Sequence, residues 1–69
     1  MNRTHINHQI KSQIIQHVTT FSKYNTRQAI VTLSQQFHVP KQVVSGNISW
    51  LVRSGTLNIN RCKPNSYLY

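Results

Sequence analysis

Five residues of one segment, Lys41, Gln42, Ser45, Gly46 and Ser49, recur at the spacing of a single helix face. An ammonium, a carboxamide and two hydroxyls suit phosphate oxygens and base edges, with Gly46 among them. The same bias runs through the whole chain. Eight Lys and Arg residues stand against no Asp and no Glu, for a formal net charge of +8. Ordinary domains carry charged residues of both signs at about 25% of positions, so the missing acids have a consequence. No side-chain salt bridge can form. Each cation must be solvated, lie against a dipole, or meet a polyanion. Asn, Gln, Ser and Thr stand where acids would otherwise be, and a surface of cations and amides complements nucleic acid. The plain alternative is a solvated basic surface with no partner.

The same inventory argues against catalysis. No carboxylate is available for general acid–base work or to hold Mg²⁺. A pair such as His8 with Cys62 has no third group but an amide to orient the imidazole. His5 and His8 are three apart, yet with His17, His38 and Cys62 they show no metal-finger spacing. The expectation is therefore no enzyme, no metal site, no cofactor and no small-molecule ligand. A lone cysteine rules out an internal disulfide and suits a reducing, cytoplasmic setting. No apolar run reaches the ~18–20 residues of a membrane span, and Met1-Asn2-Arg3-Thr4-His5 is not followed by a signal-peptide core.

Three helices and a hairpin would position these groups. Ile6, Ile10, Ile14, Ile15, Val18 and Phe21 step by four and three, predicting a helix over about 6–19 with Thr4 or Asn2 as cap. The stretch from Thr19 to Asn25 breaks that pattern and reads as a connection, with room for a short strand near Phe21 and Tyr24. Ala29, Ile30, Leu33 and Phe37 predict a second helix over about 26–37, capped by Asn25 or Thr26, with Gln28 three beyond Asn25 as in a capping box. Pro40 suits the first turn of a third helix over about 40–54, which carries Val43, Val44, Ile48, Leu51 and Val52 and closes at Gly55. Leu57 and Ile59 then alternate with Asn58 and Asn60, the run Arg61-Cys62-Lys63-Pro64-Asn65 turns, and Ser66–Tyr69 returns, giving a hairpin over about 56–69. The 69 residues make one domain with one modest core, without repeat or linker.

The stretch from Leu33 to Leu57 resembles the winged helix-turn-helix family. Phe37 ends the first helix of the motif, Val39 is the buried residue of the tight turn, and Val44, Ile48 and Leu51 are the inward residues of the second helix. Ser34 is the small residue where the helices cross, while Gly55 and Leu57 lead into the wing. One departure stands out: the turn position usually held by Gly is His38, a residue less tolerant of positive φ. The resemblance covers Thr26 to Tyr69, with the first helix filling the remaining slot of a mainly α fold with a small β-hairpin.

The resemblance implies double-stranded DNA binding, with the helix at 40–54 in the major groove and the wing at 58–66 on the backbone or minor groove. Gln42 suits adenine, and Lys41 guanine or a phosphate. Ser45, Gly46 and Ser49 continue that face. Gly46 either permits close approach or is a tolerated surface glycine. Arg27 would contact phosphate at a helix start, and Thr26 would add a hydroxyl or serve only as a cap. Arg61 and Lys63 lie at the wing tip, with Asn60 and Asn65 beside them. Arg3 would form a basic arm, and Arg53 would sit on a helix dipole. Trp50, Tyr24, Tyr67, Tyr69 and Phe21 are core residues in one reading and stacking platforms in another, with Trp50 partly buried or in a dimer patch. The expected role is a small transcriptional regulator or a phage or plasmid accessory factor, nucleoid-associated in the cytoplasm and able to form a homodimer. The competing readings are an RNA or single-strand binder and a module docking on an acidic protein partner.

Overall fold

The computed structural model describes residues 3–61 and 66–69. The element order is α1 (Arg3–Phe21), β1 (Tyr24–Asn25), α2 (Thr26–Phe37), α3 (Lys41–Arg53), β2 (Ile59–Asn60) and β3 (Tyr67–Leu68). The fold is mainly α with one small antiparallel sheet, in the order β1-β3-β2. Three helices and a terminal hairpin are thus present, as a winged helix-turn-helix requires. No helix among the described residues is long and apolar enough to cross a membrane.

The inward stripes of the three helices meet in one core. Ile10 and Ile14 from α1, Ala29 and Leu33 from α2, and Val44, Ile48 and Leu51 from α3 are all buried. Leu57 and Leu68 close the core from the wing side, and Tyr24 joins them from β1. Asn47 is also buried, at 5% exposure. Its amide donates to Asn7 Oδ1 at 3.1 Å and to the Val43 carbonyl at 2.9 Å, tying α3 to α1. A buried amide without such partners would cost about 1–3 kcal/mol.

Helix α1 is longer than its apolar pattern predicts. It begins at Arg3 and runs to Phe21, so Thr4 lies inside it and does not cap it, while Asn2 lies outside the described residues. Thr19 and Thr20 break the apolar stripe without breaking the helix, because the helix ends only at Ser22. That residue takes φ 70° and bonds its N–H to the Val18 carbonyl at 2.7 Å.

The two turns around α3 follow from local chemistry. His38 stands in the left-handed region at φ 54°, ψ 46°, a conformation that glycine adopts more readily than an L-residue. The N–H groups of His38 and Val39 both reach the Ser34 carbonyl, the latter at 3.1 Å. Pro40 is the N-cap of α3 and not its first helical residue, with φ −60° and ψ 151°. At the far end Gly55 takes φ 81°. Its N–H bonds the Val52 carbonyl at 3.2 Å, and the Thr56 N–H bonds Leu51 at 3.0 Å. This is the Schellman pattern that turns a helix end into the next element.

Asn25 caps α2, accepting from the Gln28 N–H at 2.9 Å. The reciprocal half of the capping box is not made, since the Gln28 side chain donates to Thr32 Oγ1 at 2.9 Å. In the sheet, Leu68 faces Tyr24 on one side and Ile59 on the other, and Tyr67 faces Asn25 and Asn60. Asn58 and Tyr69 exchange two backbone bonds of 2.9 and 3.0 Å that extend the hairpin.

Candidate nucleic-acid interface

With Val44, Asn47, Ile48 and Leu51 turned inward, the period of 3.6 residues leaves Lys41, Gln42, Ser45, Gly46 and Ser49 exposed together on α3. A Cβ at Gly46 would meet nothing within 4 Å. The protein itself therefore supplies no packing reason for a glycine in the middle of this helix. Pro40 brings no capping side chain; its carbonyl accepts from the Val43 N–H at 3.0 Å, and the N–H groups of Lys41 and Gln42 precede the first intrahelical acceptor. These donors, with the positive end of the helix dipole, favour an anion beside Lys41 and Gln42.

The far end of this face runs into a cleft. Ile48, Ser49, Val52 and Arg53 of α3 form one wall, and Ile59 and Arg61 form the other, around a volume of about 280 Å³. Both arginines are exposed. No acidic side chain exists in the chain to pair with them, so the cleft brings together two guanidinium groups with no Asp or Glu to neutralise them. Sequence reasoning assigned Arg53 to the helix dipole alone. The cleft shows that it also stands across from Arg61, a juxtaposition that only the chain path through Gly55 creates.

Arg27 is exposed in the first turn of α2. The Thr26 N–H bonds the Ser66 carbonyl at 3.0 Å, which ties this helix start to the residue before β3. Thr26, expected as a hydroxyl contact or only a cap, lies beside Arg27 at this helix start. Its hydroxyl oxygen is buried and has no hydrogen-bond partner among the described residues, and the capping role belongs to Asn25. Lys63 and Asn65 lie outside the described residues. The site thus gathers Lys41, Gln42, Ser45, Gly46 and Ser49 on one helix face, adds Arg53 and Arg61 at its end, and leaves Arg27 on a separate element.

Two other cations, Lys11 and Lys23, lean on rings, which stand in for the absent acids. Lys11 Nζ lies 4.2 Å from the Trp50 ring centroid, and Lys23 Nζ lies 5.5 Å from that of Tyr67. Such contacts contribute about 0.5–1 kcal/mol each at exposed sites. Trp50 is 53% exposed, so it is half-buried, and the cation over its ring comes from Lys11 of α1, in keeping with a residue partly covered by the first helix. Tyr24, by contrast, is a core residue stacked on His17 at 3.6 Å. Burial pushes its phenol above the ordinary value of 10.0, and a hydrogen bond with the Thr32 side chain acts in the opposite direction. Tyr67 and Tyr69 share the sheet face opposite Leu68, with ring centroids 6.0 Å apart. Comparison of the chain with protein-family models, with curated proteins and with solved structures gives no match in any of the three.

Proposed function

We propose that this chain is a sequence-specific double-stranded DNA-binding protein of the winged helix-turn-helix kind, acting without catalysis as a small regulator or as a phage or plasmid accessory factor. Helix α3 lies in the major groove, with Gln42 and Lys41 reading base edges and Ser45, Gly46 and Ser49 following the groove wall. A DNA strand leaving the groove passes its phosphates between Arg53 and Arg61, and Arg27 holds a phosphate at the start of α2. The working location is the cytoplasm, in association with the nucleoid.

The observation that carries this reading is one acid-free face of hydrogen-bond donors on α3, open at Gly46 and continuous with the Arg53–Arg61 cleft. The test is selection of bound sequences from a randomised duplex pool, followed by affinity against single-stranded RNA and DNA of matching length. Enrichment of one site, with Gln42→Ala relaxing the preference at a single base position by about 1–3 kcal/mol, is the expected result. Equal affinity for every duplex and tighter binding to single strands would replace the groove reading with a single-strand one.

A further inference from the structure

A separate cavity of about 470 Å³ is lined by His17 and Phe21 at the end of α1, Lys23 and Asn25 around β1, and Tyr67 of β3. It shares no residue with the cleft between α3 and β2. Three of its lining side chains are aromatic rings, and each is already held. His17 stacks on Tyr24 at 3.6 Å with an interplanar angle of 16°. Phe21 leans on His17 at 4.6 Å, and the Tyr67 hydroxyl accepts from the Asn60 amide at 2.9 Å. Phe21 is nevertheless 63% exposed, so the core makes little use of it.

The polar groups of the cavity are one-sided. The Asn25 carboxamide oxygen is taken by the Gln28 N–H, which leaves its NH₂ donors to offer. Lys23 brings an ammonium above the Tyr67 ring. The left-handed turn at Ser22, φ 70°, ends α1 just before Lys23. The exposed Phe21 ring and the half-buried Tyr67 ring, an amide, a cation and no acidic side chain point to a ligand with a planar ring system attached to an anion. The volume is of the size that holds small ligands, about 300–1,000 Å³.

We propose that this cavity binds a nucleotide, its base against Phe21 and Tyr67 and its phosphate on Lys23. Two sources share that chemistry, a free mononucleotide and an unpaired nucleotide at the end of a nucleic-acid strand. Adenosine 5′-monophosphate, a blunt DNA duplex and the same duplex with a short single-stranded overhang serve as probes. Each is titrated into the intact protein and followed by calorimetry and backbone amide shifts.

The mononucleotide is expected to shift the amides of Phe21 to Asn25 and of Tyr67, and Phe21→Ala and Lys23→Gln should each weaken it by about five- to tenfold. Both substitutions fall at exposed positions, and unchanged thermal melting confirms that the variants fold. An overhang that tightens duplex binding, with the gain lost in Phe21→Ala, identifies a strand end as the source. Mononucleotide binding without any overhang gain identifies the free nucleotide. Absence of both, or binding indifferent to both substitutions, overturns the proposal. The blunt duplex keeps the two readings apart. Lys41→Ala should weaken it while leaving the mononucleotide untouched, and a protein that binds the mononucleotide but no duplex would refute only the groove reading.

Discussion

Replacing Gly46 with alanine separates folding from binding more cleanly than any other single change. In the free protein the added Cβ meets nothing within 4 Å, so no steric term opposes the substitution. Glycine in a helix interior is about 1 kcal/mol less favourable than alanine. Gly46→Ala should therefore stabilise the chain by about that amount, raising its melting temperature by about 4–8 °C for a domain of this size. On DNA the same methyl group enters the space that the groove reading assigns to a nucleotide. A displacement that disturbs the neighbouring Gln42 and Ser45 contacts should weaken binding about tenfold, or about 1.4 kcal/mol. Thermal melting by circular dichroism and fluorescence anisotropy on a selected duplex give the two numbers. A variant that is more stable and binds as well as the parent would refute close approach at Gly46. A less stable variant would refute the open surface itself.

Three other outcomes follow from the fold. His38→Gly relieves a left-handed backbone at φ 54°, which costs an L-residue about 1–2 kcal/mol. Because glycine gives back part of this through its freer unfolded chain, a net gain of about 0.5–1 kcal/mol is expected in denaturant melts, and a loss would mean that the imidazole holds the turn. Asn47→Ala should cost about 1–2 kcal/mol by removing the tie from α3 to α1, and a double-mutant cycle with Asn7→Ala should show coupling; strict additivity would deny that the 3.1 Å bond contributes. The Tyr24 phenol, raised by burial, keeps its proton longer folded than unfolded. Stability is thus complete below the unfolded value near 10.0 and falls as the pH rises from there through the folded value. Melts between pH 8 and pH 11 should show a shallower alkaline decline for Tyr24→Phe than for the parent, and parallel curves would exclude Tyr24 as the cause.

The helices were legible because their apolar stripes are regular. Val44, Ile48 and Leu51 are buried where their spacing puts them, and the left-handed backbone at His38 appears at the turn where glycine was expected. Residues whose role depends on a distant partner were not legible. Asn47 has a polar side chain in a helix rich in polar groups, and only its place three after Val44 and four before Leu51 hints that it points inward. Trp50 was legible only in part: its size suggested partial burial against α1, but that the cover comes from the Lys11 ammonium depends on the packing of two helices. Thr19 and Thr20 are weak helix formers, yet α1 continues through them to Phe21, as tertiary packing can override propensity. Arg53 faces Arg61 only because the Schellman turn at Gly55 brings the wing back beside α3. The pairing of β1 with β3 joins residues more than forty positions apart in the chain, beyond the reach of local pattern.

The central claim is that α3 and the wing form one anion-binding surface for duplex DNA. Its most direct measurement is the affinity for random-sequence duplex across a salt series, for the parent chain and for Lys41→Ala, Arg53→Ala and Arg61→Ala. Neutralising several phosphates gives a log–log slope of roughly −3 to −6, and each substitution should weaken binding and flatten the slope by about one. Duplex that fails to bind even at low salt, or a slope that none of the three substitutions changes, would contradict the account.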